Sequence, residues 1–257
     1  MKGGTILLIR DSNDPSELSL AEKARSYLED KGVLNIRIAS HKGFPPIAEV
    51  MDSMFEEGTD SFAIIPMLIS EGRLSTWIMP KEAGIPDNCG SWRMMGGQDV
   101  AMRFSTTPGV DRDLMDSVAD SLGEPEKGTG ILLIHYGSGL SMAAKNIGMY
   151  ADRISKRGWP VSYAALSKGP EELERAVREL SEKGVSKVRV LPAFIHFDED
   201  RYRWALDRVG RSFGAVEVLE PVSSREEFLR AIERRVPDEW RRRALDDFHP
   251  LFPIRYL

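Results

Sequence analysis

The sequence predicts an α/β protein made of two homologous, doubly wound parallel-sheet halves related by internal duplication. Landmarks recur at an offset of 126 residues: Ser12 with Ser138 after an apolar strand, Gly32 with Gly158 closing a helix, Gly58 with Gly184 before a strand, and Pro66 with Pro192 ending it. Strand-like and helix-like segments alternate in each half, which implies right-handed crossovers and parallel sheets. The runs FAIIP and VRVLP are short, continuously apolar and bounded by turn signals, as strands covered on both faces should be.

The first half, residues 1–126, opens with a strand at 5–10 and a helix at 17–31. Leu20, Ala24, Tyr27 and Leu28 give that helix its apolar stripe, and Gly32 sits where a C-cap belongs. Strands follow at 34–39, 61–66 and 100–105, with helices at 46–57, 73–79 and 111–122. The second half, residues 127–236, repeats the order, with strands at 130–135, 160–165, 187–192 and 215–219 and helices at 140–157, 170–183, 199–212 and 224–235. TILLI at 5–9 matches GILLI at 130–134 at an offset of 125, which predicts a one-residue slip in the turn before Ser12 or Ser138. Pro108 with Pro221 and Arg112 with Arg225 match at 113, so the first half carries about 13 extra residues. Gly84, Pro86, Gly90, Gly96 and Gly97 mark these as an irregular insertion at about 80–99. The tail, 237–257, begins as a helix (DEWRRRALDDF) and ends in the apolar PLFPIRYL. It is expected to pack on the body or on a second copy of the chain in a homodimer.

Composition narrows the function classes. Of the 257 residues, 42% are hydrophobic and 29% charged, ordinary values for a globular chain with a full core. The net charge of -5 argues against general nucleic-acid binding, which rests on phosphate neutralisation. No apolar run nears the roughly 20 residues of a membrane span, and the N-terminus reads as a first strand, so a cytoplasmic protein away from membranes is expected. One cysteine, Cys89, excludes an internal disulfide or thiolate cluster. Any metal site must use His, Asp, Glu or Tyr.

In open parallel sheets, ligands bind beyond the carboxyl ends of the strands. In half one, Arg10-Asp11-Ser12 follows the first strand and Ser70-Glu71-Gly72-Arg73 the third. In half two these places hold His135-Tyr136-Gly137-Ser138 and His196-Phe197-Asp198-Glu199-Asp200. Flavodoxin-type order makes first and third strands neighbours, about 5 Å apart, which would set two of the four histidines at one mouth with three carboxylates. Imidazoles and carboxylates suit a divalent-metal or proton-accepting site. A strand-end histidine also serves as a satisfied structural residue, and acids suit a helix N-terminus. Arg10 and Arg73 suit anionic carboxylates. The Gly-Ser-Gly turn lacks the Gly-Lys-Ser/Thr ending of a nucleotide loop.

Two halves that open on a strand and an S-x-D-P or G-S turn resemble the class II tetrapyrrole chelatases, the CbiX-type sirohydrochlorin chelatases in their long duplicated form. The family opening, an apolar strand and G-H-G-S-R-D-P, has counterparts in IRDSNDP at 9–15 and HYGSGLS at 135–141. The third strand, V-P-L-F-L with a G-x-H loop, has counterparts in IPMLISEGRLSTWIMP at 65–80 and VLPAFIHFDEDRYRW at 190–204. The resemblance implies a chelatase-like fold that inserts cobalt, nickel or iron into sirohydrochlorin or a related macrocycle. The metal would be a substrate, with no permanently bound cofactor. Where the family places its histidines, this sequence has Arg10 and Leu74 in half one and Tyr136 and Asp200 in half two. The resemblance therefore casts His135 and His196 as displaced catalytic residues and metal ligands, with Asp198, Glu199 and Asp200 completing the metal set. Arg10, Ser12, Tyr136, Gly137, Ser138 and Arg73 would contact the macrocycle, held between the halves with 80–99 as a lid. The alternative it implies is a non-catalytic tetrapyrrole-binding or partner protein on the same fold.

Overall fold

The computed structural model describes residues 2–85, 92–195 and 199–240. Strand β1 (Gly3–Asp11) pairs in parallel with β2 (Ile36–Lys42) and β3 (Ser61–Pro66), and β3 pairs in parallel with β5 (Gln98–Phe104). A short β4 (Trp92–Met95) runs antiparallel to β5 and completes the order β2-β1-β3-β5-β4. The second sheet, entirely parallel, has the order β7 (Val161–Ala165), β6 (Thr129–His135), β8 (Lys187–Pro192), β9 (Ala215–Val218). Both sheets thus have the flavodoxin-type arrangement that the alternating pattern predicts. Among the described residues, no helix is long and apolar enough to cross a membrane.

Strand alternation decides which layer each side chain joins. Leu7 and Ile9 of β1, with Ile131 and Leu133 of β6, face a central helical layer. That layer consists of α1 (Pro15–Asp30), α4 (Arg112–Asp120), α5 (Ser141–Lys156) and α8 (Glu226–Glu233), two helices from each half. Ile6 and Leu8 point the other way, into the core under α2 (Ile47–Glu56) and α3 (Met79–Glu82). Leu132 and Ile134 likewise meet α6 (Pro170–Glu182) and α7 (Glu199–Gly210). The two sheets therefore share one core.

Polar ties lock the shared layer. The Asp111 carboxylate caps α4 by accepting from the backbone N–H of Asp113 and Leu114, and pairs with Arg234 and Arg235 at the end of α8. The buried Arg235 guanidinium also donates to the carbonyls of Thr106 and Thr107, each at 2.7 Å. Tyr150 donates to the Gly109 carbonyl at 2.6 Å. Trp240, where the tail begins, packs against the same core beside Gly3.

Two sequence expectations need correction. The pairing Leu8–Pro66 in one sheet and Ile134–Pro192 in the other sets the strand offset at 126, the same as the landmarks. There is no slip: Ile9 corresponds to His135, and Arg10 to Tyr136. The insertion is also less irregular than its glycines suggest. Gly96 and Gly97 have φ of 54° and 80°, the two positive values that a tight hairpin between β4 and β5 requires. The turn packs beside Phe55, near the C-terminus of α2, at the end of the sheet opposite the carboxyl ends of the parallel strands.

Candidate functional site

A cleft of about 330 Å³ opens where β1, β3, β6 and β8 deliver their carboxyl ends. Its walls are mostly apolar. Leu68, Ile69, Leu74 and Ile78 from half one face Ala193, Phe194 and Ile195 from half two. These segments leave the sheets directly after Pro66 and Pro192, where proline ends the ladder because it has no N–H to donate.

The two halves interlock around the cleft in matching ways. The Glu71 N–H donates to Asn146 Oδ1 at 2.9 Å, and the Arg73 N–H to Ser138 Oγ at 3.4 Å, so the loop after β3 sits on the start of α5. Conversely, Ser16 Oγ, which donates to Asp14 Oδ1 at 2.5 Å, lies 3.3 Å from the Ile195 carbonyl, setting the loop after β8 against the start of α1. Gly137 turns at φ 89°, and a Cβ there would collide with Ser167 Oγ and lie 2.9 Å from Ala165 Cβ. Only glycine fits that step.

Arg10, Arg73, Tyr136, Gly137 and Ser138, the residues assigned to substrate contact, all line the cleft. The Arg73 guanidinium stacks 5.2 Å over the Trp77 ring, and Arg201 lies 5.9 Å over the Tyr136 ring from outside the cleft lining. Ser12, also expected to bind substrate, does not line it. Its Oγ accepts from the Phe44 N–H at 2.9 Å and its N–H donates to Ser40 Oγ, knitting the turn after β1 to the loop after β2.

His135, expected as a metal ligand or base at the mouth, is turned into the core. It shares strand parity with Leu133 and is only 2% exposed, like its counterpart Ile9. Its ring lies 6.4 Å from that of Tyr163, and neither ring nitrogen has a hydrogen-bond partner among the described residues. Burial pushes its pKa down to about 4; the negative charge of Glu172 opposes this and Lys168 adds to it. The ring is therefore neutral near pH 7, and it is not among the residues that line the cleft.

His196 and Asp198 lie outside the described residues, as does the side chain of Glu199. Asp200 is exposed in the first turn of α7. Among the described residues, no three His, Cys, Asp or Glu side chains group as a metal site. No described residue of 80–99 lines the cleft, so the lid expectation gains nothing from that part of the insertion.

Glu17 is the cleft residue that sequence reasoning missed. It is 3% exposed, and its carboxylate accepts from the Arg10 N–H at 2.7 Å, the Asp11 N–H at 3.0 Å and Arg10 Nε at 2.9 Å. The signal was present: Asp14 caps α1 and Glu17 stands three residues on, the spacing from which an acid reaches back over a helix start.

Comparisons with known proteins agree with this architecture. Residues 130–239 match the CbiX family. The sirohydrochlorin chelatase SirB from Bacillus subtilis subspecies spizizenii, solved in complex with cobalt, superposes with a TM-score of 0.69 at 12% identity, covering 92% of this chain and 94% of that one. A CbiX described as the terminal enzyme of siroheme biosynthesis in denitrifying bacteria gives 0.55 at 17% identity, over 91% and 97%. A multi-domain Deinococcus radiodurans protein with structural similarity to chelatases gives 0.67 at 16% identity; it covers 93% of this chain, which spans only 56% of that protein. Comparison with curated protein sequences gives no match. Residues 130–239 thus match CbiX in sequence, and the chain as a whole shares the fold of these chelatases.

Proposed function

We propose that this protein is chelatase-like: it binds sirohydrochlorin or a related carboxylate-bearing tetrapyrrole between its halves and inserts a divalent metal. The observation that supports this most is the cleft itself, apolar on both walls and set at the carboxyl ends of four parallel strands, with Arg10 and Arg73 lining it. Its 330 Å³ lies at the small end of the roughly 300–1,000 Å³ typical of ligand pockets. It would admit one edge of a macrocycle, and the exposed Trp77 and Leu140 are apolar surface close to the segments that line it.

Insertion needs a group to present the metal and an acceptor for two pyrrole protons. Glu17 is ill suited, since three donors already occupy its oxygens. In the proposal His196 holds the metal through its one basic nitrogen, with Asp198, Glu199 and Asp200 as further ligands. Once the metal passes to the macrocycle, that nitrogen takes one pyrrole proton and one of the freed carboxylates takes the other. His196 directly follows Ile195, which lines the cleft, and its half-one counterpart Ser70 lines it too. A neutral histidine can serve as metal ligand and as proton acceptor near pH 7.

The second reading, a tetrapyrrole binder without catalysis, draws on Arg10 and Tyr136. At the two equivalent cleft positions, one half offers a permanent cation and the other a phenol. A spectrophotometric assay with sirohydrochlorin and Co²⁺, Ni²⁺ or Fe²⁺ decides. Turnover that His196→Ala abolishes supports insertion; a spectral shift without turnover supports the binder; no spectral response overturns both.

A further inference from the structure

We propose that the cleft is electrostatically one-sided, and that Glu17 acts as a positioning residue that aims Arg10 at the carboxylate-bearing edge of the ligand. This rests on the tetrapyrrole reading above and adds an orientation to it.

The duplication supplies the comparison. At the offset of 126, Arg10 corresponds to Tyr136 and Glu17 to Ala143. Half one therefore carries an ion pair where half two carries a phenol and a buried methyl group. Both arginines that line the cleft, Arg10 and Arg73, come from half one. Arg201 of half two is exposed and outside the lining.

Geometry gives the Glu17 contact its direction. Glu17 takes Arg10 through Nε, the inner edge of the guanidinium, at 2.9 Å. Arg10 itself lines the cleft, and Asp14 Oδ2 lies 3.8 Å from its Nη2. Glu17 is itself fixed by the N–H groups of Arg10 and Asp11, so the guanidinium plane is set before any ligand arrives. A planar fork held in this way suits one carboxylate in bidentate contact. A nearly symmetric macrocycle could meet a duplicated cleft from either side, and this pair gives half one the fixed contact to a peripheral carboxylate.

The test is a fluorescence titration of the full chain with uroporphyrin, an octacarboxylic porphyrin, and coproporphyrin, a tetracarboxylic one. The wild type should prefer uroporphyrin. Arg10→Gln should weaken uroporphyrin by roughly tenfold or more, the loss of a charge-assisted contact, and erase the preference, with Arg10→Lys intermediate. Tyr136→Phe should change both porphyrins by the same factor. In Glu17→Gln, circular dichroism should report a folded chain, while the Arg10 Nε–H signal in ¹H–¹⁵N spectra loses its protection from solvent exchange and the preference shrinks. An unchanged preference in Arg10→Gln would overturn the one-sided cleft while leaving the tetrapyrrole reading intact. An unprotected Nε–H in the wild type would overturn the positioning role of Glu17. A wild type that binds neither porphyrin overturns the tetrapyrrole reading and this inference with it.

Discussion

Replacing His135 by isoleucine, the side chain at the equivalent position of the other half, should stabilise this protein most under mildly acidic conditions. The folded-state pKa of His135 is lowered from 6.5 to about 4, chiefly by burial. Folding therefore favours the neutral ring. The stability that follows is fully present above pH 6.5 and is lost as the pH falls through the window from 6.5 to about 4. The complete loss is about 3 kcal/mol, at about 1.36 kcal/mol for each pH unit between the folded and unfolded pKa values. Between pH 7 and pH 5 the wild type should lose about 2 kcal/mol through this group. His135→Ile loses none of it, and at pH 7 it also removes two buried nitrogens that have no partner among the described residues, a gain of about 1 kcal/mol. Urea unfolding of both proteins at each pH measures the difference, and every other titrating group cancels in the comparison. Parallel pH profiles would refute the reasoning, as would an imidazole resonance that titrates near 6.5. So would a folded His135→Ile protein that has lost tetrapyrrole binding, because the ring would then reach the ligand after all.

Three further outcomes follow from the geometry. Asp111→Asn should cost about 2–4 kcal/mol in urea unfolding, because it leaves the buried Arg235 without its counter-charge. Burial raises the Asp111 carboxyl pKa, but hydrogen bonds from Arg234 and the Leu114 N–H and the charges of Arg234 and Arg235 more than offset it. The net position is below the ordinary 3.8, so this contribution is present above that value and lost as the pH falls beneath it. Gly137→Ala should cost about 1–3 kcal/mol and weaken ligand binding, since it meets both a positive φ and the collision with Ser167. Gly139→Ala, in the same turn, has open space around its Cβ and should change thermal stability within about 0.5 kcal/mol.

Much of this fold is legible in the sequence because duplication shows every element twice. Pro66 and Pro192 mark where the central strands end, and the arginines and the Tyr136-Gly137-Ser138 turn follow at the mouth. His135 is misplaced by sequence reading for a specific reason. It ends the first strand of half two and so reads as a mouth residue, while the cleft position, level with Arg10, is Tyr136 one step on. A shift of one residue moves a strand side chain to the other face, so a core position reads as a cleft position. Glu17 escapes notice because an acid in the first turn of a helix already has a local explanation in the helix dipole. Leu68, Ile69, Phe194 and Ile195 follow the strand-ending prolines as short apolar runs with no assigned role; their place as cleft walls depends on how the two sheets face each other, which no local pattern encodes.

The cleft belongs to neither half alone. Its walls come from the segments after β3 and β8, and each of these sits against the helix that opens the opposite half. The helices that bring the sheets together are shared two and two in one core, with Arg235 of α8 bonded to the carbonyls before α4. Separating the halves would expose that core and open the cleft at once. Duplication therefore yields one site with two unequal sides rather than two copies of a site. The divergence is concrete: Arg10 and Glu17 form an ion pair on one side, while Tyr136 and the buried Ala143 stand at the equivalent positions on the other, so the duplicated frame is not symmetric where its two halves meet.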